Sequence, residues 1–111
     1  MVLYEYEPHA LLDHGKLESA LGRPMHTYEG VQMYPTVVER AAVLLDGLAK
    51  AHAFQEGNKR TAWISMTTYL KHNGFVLRPM DAETAGGMVL QLVNHEIDLR
   101  AATIWIASRL S

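Results

Sequence analysis

The sequence predicts an all-α fold, a helical bundle with at most short β segments. Two observations carry that prediction. Apolar side chains recur at helical spacing in several long segments, and capping residues stand where those segments should begin and end. The first helix is expected over 36–51. Val37, Ala41, Leu44, Leu45 and Leu48 share one side, and Glu39, Arg40, Asp46 and Lys50 fall on the other. Pro35 suits its first turn. A second helix runs from Asn58 to Asn73 with a broad apolar surface (Ala62, Trp63, Ile64, Met66, Tyr69, Leu70), which predicts a central, widely covered position. Gly74 follows Lys71 and His72 as a C-terminal cap.

Phe75–Leu77 reads as a short extended segment. Asp81 caps a helix over 82–95, with Ala85, Met88, Val89 and Leu92 in register. Asp98 caps a last helix that turns Ala102, Trp105, Ile106 and Leu110 inward. Upstream, Leu17–Leu21 reads as a short helix, and Gly22–Tyr34 as a loop or small hairpin. Val2–Tyr6 alternates as a strand edge would, or is a frayed end.

Size and composition narrow the function. The chain has 111 residues, which predicts one domain, 1–111, able to bury a core of its own. Its 49% apolar and 20% charged residues argue against a disordered chain. With no cysteine, disulfide scaffolds, thiolate zinc sites and cysteine nucleophiles are excluded, and a reducing, cytoplasmic location is expected. A net charge of -2 gives no global basic field, so no nucleic-acid partner is expected. The longest clean apolar run, Ala41–Leu45, is far too short to span a membrane, and Met1–Pro8 lacks the basic start of a signal peptide. His9, His14, His26, His72 and His95 show no metal-ligand spacing.

The chemistry concentrates in His52-Ala53-Phe54-Gln55-Glu56-Gly57-Asn58-Lys59-Arg60-Thr61, which joins the first two long helices. Gly57 and Asn58 fall at the start of the second helix, where amides without internal partners and the helix dipole favour an anion. Gly57 lets a ligand approach the backbone. Lys59 and Arg60 add positive charge, and Arg60 is suited to bidentate phosphate contact. Glu56 is placed to hold Mg²⁺, a metal that keeps several waters and bridges phosphate oxygens. His52 takes up a proton near neutral pH and is the candidate general base. Singly, these would be a capping histidine, a solvated acid and a solvated helix face. At this spacing they form base, metal carboxylate, anion hole and cationic clamp, the parts that phosphoryl transfer needs.

This stretch resembles the signature of the Fic/Doc family, specifically its Doc (death-on-curing) toxin branch. The likeness extends to Leu17-Glu18-Ser19-Ala20-Leu21, Arg23-Pro24, Tyr34-Pro35-Thr36 and Ala41-Ala42 upstream, and to Thr61-Ala62 and Asn73-Gly74-Phe75 downstream. Roughly residues 11–80 are covered. Ala53 stands where the family often has proline. The more familiar AMP-transferring members read Gly-Asn-Gly-Arg-x-x-Arg, whereas here Lys59 replaces the second glycine and Trp63 the last arginine. Doc-like chains carry a further helical segment before the region matching Ala10–Pro24, and fewer residues precede it here. No Ser/Thr-x-x-x-Glu inhibitory helix is visible, so the resemblance implies control in trans.

The resemblance implies a helical Fic/Doc-like bundle in which His52 is the general base, Glu56 holds Mg²⁺, and Gly57, Asn58, Lys59 and Arg60 bind the nucleotide phosphates. It implies a toxin of a toxin–antitoxin system that uses ATP to phosphorylate a threonine of elongation factor Tu and stops translation. The implied partner is an antitoxin with a disordered, Phd-like C-terminal segment that folds onto the toxin. Met25–Met33 falls where the family places a flap that pairs with an extended target segment. Two other readings stand beside this one. One is transfer of AMP to a protein hydroxyl. The other is a catalytically inactive remnant that only binds.

Overall fold

Thr36 starts the first helix. Its Oγ1 accepts from the Glu39 amide at 3.1 Å and its carbonyl from the Arg40 amide at 3.0 Å, partners that the first turn otherwise lacks. The computed structural model describes residues 22–25, 27, 28, 31–50 and 58–111, and places α1 over Val37–Lys50. Pro35 therefore precedes the cap and does not enter the first turn. Three more helices follow: α2 (Asn58–His72), α3 (Ala82–Val93) and α4 (Leu99–Ser108). The all-α expectation holds, with short β segments at the edges.

The central helix is α1. Ala41 to Asp46, Leu48 and Ala49 are all buried, and a helix hidden all round must be covered by several neighbours. It packs most extensively on α2, and also meets α3 and α4. The expectation that the second helix is central is thereby corrected. On α2 only the face of Ala62, Met66 and Leu70 enters the core, while Trp63 and Tyr69 are half-buried and Ile64 is exposed. The reason lies in side-chain size. Ala41, Ala42 and Ala49 add little bulk, so neighbours close over α1 on sides where a polar face was expected. Met88, Val89 and Leu92 of α3 and Ala102 and Ile106 of α4 complete the core.

Asp46 is the second correction. It lies inside, at 5% exposure, and not on a solvated face. Arg23, in the 3-10 turn Arg23–Met25, donates through Nη1 to Asp46 Oδ2 at 2.7 Å, and Lys50 Nζ lies 2.7 Å from Oδ1. Burial alone would lower the Arg23 pKa, but Asp46 and Tyr34 outweigh it and raise the pKa above its ordinary value. A buried charge stripped of one partner generally costs about 3–5 kcal/mol, so this triad pins the upstream turn to α1.

Within Gly22–Tyr34, expected as a loop or small hairpin, the described residues include a pair of short strands. Strand β1 (Thr27–Tyr28) runs antiparallel to β2 (Val31–Gln32), with Thr27 opposite Gln32 and Tyr28 opposite Val31. The approach to α1 is fastened by Arg40, whose Nε donates to Tyr69 Oη at 2.9 Å and whose Nη1 donates to the carbonyls of Tyr34 and Pro35 at 3.1 and 2.8 Å. The expected strand Val2–Tyr6 and helix Leu17–Leu21 lie outside the described residues.

The caps follow the sequence closely. Gly74, at φ +86°, closes α2: its amide donates to Lys71 O and the Phe75 amide to Leu70 O, a paired arrangement that needs a left-handed residue. The extended stretch after it forms one antiparallel bridge, Leu77 to Leu110. Asp81 and Asp98 accept from the amides of Thr84 and Ala101 at 2.7 and 2.8 Å. Helix α3 ends at Val93, short of the expected 95, because His95 adopts φ 60° and the Glu96 amide turns back to Gln91 O at 2.8 Å.

A left-handed conformation costs a residue with a Cβ about 1–2 kcal/mol. A Cβ at Gly74 would meet nothing within 4 Å, so Gly74→Ala should lose about 1 kcal/mol through backbone strain alone, and His95→Gly should gain a similar amount. Urea unfolding at constant m value reads both. The Asp81 carboxylate is held below its ordinary 3.8, first by its side-chain hydrogen bond with Thr84 and then by the Thr84 amide. A depressed acid stabilises the fold fully above its unfolded pKa and stops doing so as pH falls through the folded value. The thermal midpoint of the parent should therefore exceed that of Asp81→Ala at neutral pH, and the gap should close below about pH 4.

Candidate functional site

Helix α2 opens at Asn58, so the amides of residues 58–61 have no carbonyl four residues back within the helix. The dipole concentrates about half a positive charge there. Lys59 and Arg60 stand exposed on this first turn. Both line a cleft of about 490 Å³ that lies between the start of α2 and the first half of α3. The structure thus brings Lys59 and Arg60 together at one opening, next to Asn58 in the chain. His52, Glu56 and Gly57 lie outside the described residues. In sequence they belong to the seven residues that connect Lys50, the last of α1, to Asn58.

The far wall is built from α3. Ala82, Ala85, Gly86 and Val89 line it, with Met80 and Asp81 at its entrance. These residues were not anticipated. The available signal was Gly86-Gly87 inside a helical pattern, since each glycine costs a helix interior about 1 kcal/mol relative to alanine. Packing does not require them: a Cβ on either would meet nothing within 4 Å. At Gly86 the effect is a bare backbone facing the cleft.

Trp63 was expected in the core. It is half-buried and lines the cleft. Its ring meets Trp105 edge to face, with centroids 6.1 Å apart and planes at 74°, a favoured aromatic geometry. Trp105 in turn carries the Arg109 guanidinium 4.0 Å above its ring. Met66, read as core, is fully buried, and Tyr69 is half-buried with its hydroxyl bound to Arg40.

The charge at the cleft is positive. Lys59 and Arg60 face it, while the single acid among its described lining residues, Asp81, is engaged by the Thr84 amide. An apolar slot with cations and the first amides of a helix at one end can accept a ligand with a flat apolar body and an anionic tail. Among the described residues no group of three histidine or acidic side chains stands together as a metal cage, and no helix is long and apolar enough to cross a membrane.

Comparison with known proteins agrees with the motif. The family model of the Fic/DOC family matches residues 2–70, which takes in the hairpin, α1, the connecting motif and most of α2. Toxin Doc of Mycolicibacterium smegmatis (strain ATCC 700084 / mc(2)155) is 40% identical over 88 residues, covering 78% of this chain and 68% of that protein. With the motif, its supporting helices and most of both chains in correspondence, this chain belongs to the Fic/Doc family.

Proposed function

We propose that this chain is a Doc-like toxin of a toxin–antitoxin system, a transferase that moves the γ-phosphate of ATP to a protein hydroxyl. The target we favour is a threonine of elongation factor Tu, whose modification would inhibit translation. Its control partner would be an antitoxin with a Phd-like C-terminal segment. The observation that carries this reading is the placing of Lys59 and Arg60 together on the first turn of α2, at the mouth of a cleft with an apolar far wall. The relative named Toxin Doc supports the toxin assignment.

In this reading the nucleoside lies along Trp63 and the bare backbone at Gly86, and the phosphates reach the start of α2. The amides there, with Lys59 and Arg60, neutralise charge that spreads over the phosphate oxygens as the bond to the leaving group loosens. His52 takes the proton from the target hydroxyl. The hydroxyl oxygen forms its bond to the γ-phosphorus as the bond to the β–γ bridging oxygen breaks, and ADP leaves. Glu56 supplies one carboxylate beside these phosphates. One carboxylate with substrate phosphates and water is the usual donor set for Mg²⁺, which would shield the phosphate charge. Lys59, standing where AMP-transferring relatives have glycine, favours γ-phosphate transfer over nucleotidyl transfer.

Incubation with Mg²⁺, elongation factor Tu and ATP labelled at either the γ- or the α-phosphate tests the chemistry. Label should pass to the target from the γ position only, and His52→Ala should slow it by about 10²–10⁴-fold while leaving helicity intact. Label from the α position would make the protein a nucleotidyltransferase. Label from neither, in a folded protein, would leave a binding remnant. A second experiment reads the cleft. Gly86→Leu fills open space, so it should keep the fold yet raise the KM for ATP at least roughly tenfold. An unchanged KM would remove the nucleoside from this wall.

A further inference from the structure

Arg78 and Arg109 are far apart in sequence and close in space. The Leu77–Leu110 bridge sets them together: the Arg78 amide donates to Arg109 O at 2.8 Å and the Ser111 amide to Val76 O at 2.8 Å. Each side chain is then fixed by uncharged partners. Arg78 Nη2 donates to Ser108 O at 2.6 Å, Arg109 Nη1 donates to Ser108 Oγ at 3.2 Å, and the Arg109 guanidinium lies on Trp105. The two arginines line a recess of about 220 Å³ together with Pro79 and Met80.

Two guanidinium groups lining one recess repel each other unless a counter-charge is near. Among the described residues the ion pairs all centre on Asp46, which does not line this recess, and no acid lines it. The two forks are nevertheless oriented before any ligand arrives, which reduces the ordering cost of binding. Their floor is apolar. Met80 also lines the larger cleft, so the recess continues the surface that begins at Lys59 and Arg60.

We infer that the Arg78–Arg109 recess is a docking site for an acidic segment of a partner protein, in which two carboxylates flank an apolar side chain. The carboxylates meet the two guanidinium forks, a bidentate match, and the apolar residue lies on Pro79 and Met80. Charge complementarity selects a short acidic peptide over a nucleic acid. The described cations along this surface are four, Lys59, Arg60, Arg78 and Arg109, on a chain of net charge -2, whereas a nucleic acid needs an extended basic face. The inference uses no residue of the His52–Thr61 motif, and its test involves no ATP and no phosphate transfer, so it stands or falls apart from the proposed catalysis.

The probe is a fluorescein-labelled Gly-Glu-Leu-Glu-Leu-Glu-Gly peptide, titrated with the full chain and followed by anisotropy. Saturable binding that weakens with salt is expected, with no binding of the same peptide carrying glutamine for glutamate. Arg78→Glu with Arg109→Glu should weaken it at least roughly tenfold, and Lys71→Glu, which does not line the recess, should leave it unchanged. Should the reversal impair folding, Arg78→Gln with Arg109→Gln, checked by circular dichroism, reads the same loss. Equal binding by these variants, absence of saturable binding, or displacement of the peptide by low concentrations of inorganic phosphate or a single-stranded oligonucleotide would overturn the inference.

Discussion

A helix buried on every side leaves its neighbours few choices, and α1 imposes that constraint here. Its residues from Ala41 to Asp46 are shielded without a break, so α2, α3 and α4 must all find a place against it. The carboxylate of Asp46 sharpens the constraint. A buried charge is tolerable only with partners, and these are Arg23 from the upstream turn and Lys50 from the last turn of α1. The end of α1 and the turn before the hairpin are thereby held to one point. From Lys50 the chain runs through the motif to Asn58, so the register of α1 fixes where that motif begins.

The cleft depends on the same arrangement. Because α2 lays only the Ala62–Met66–Leu70 face on α1, its first turn and Trp63 remain outside the core, available to a ligand. Helix α3 reaches α1 through Met88, Val89 and Leu92, in its C-terminal half, which leaves the earlier Ala85 and Gly86 beside Trp63. The edge contact of Trp63 with Trp105, and the stacking of Arg109 over the Trp105 ring, then tie the cleft to the neighbouring basic recess.

Much of this was legible in the sequence where local physics decides. The four helices among the described residues, the caps at Asp81 and Asp98, the glycine stop at Gly74 and the extended segment at Leu77 each follow from side chains that act within a few residues of themselves. Placing Lys59 and Arg60 on a helix start belongs to the same class. What was not legible depends on distant partners. Asp46 looked like one more polar residue on a solvated face, and one of the two partners that make its burial tolerable, Arg23, lies 23 residues away. The central place of α1 depended on which elements would cover alanines, and periodicity does not report that. Trp63 read as core because size and apolarity alone do not distinguish a core ring from a cleft wall. Arg78 and Arg109 meet through a single bridge between segments more than thirty residues apart, a pairing without a local signal.

In the proposed function, the start of α2 and the bare wall of α3 form one nucleotide site. Amide chemical shifts of the uniformly ¹⁵N-labelled chain, followed during titration with Mg²⁺ and a non-hydrolysable ATP analogue, test it most directly. The account predicts saturable shifts at Asn58, Lys59 and Arg60 together with Ala85 and Gly86, all with a single apparent Kd. Shifts that leave Ala85 and Gly86 in place, or that gather away from the first turn of α2, would contradict it.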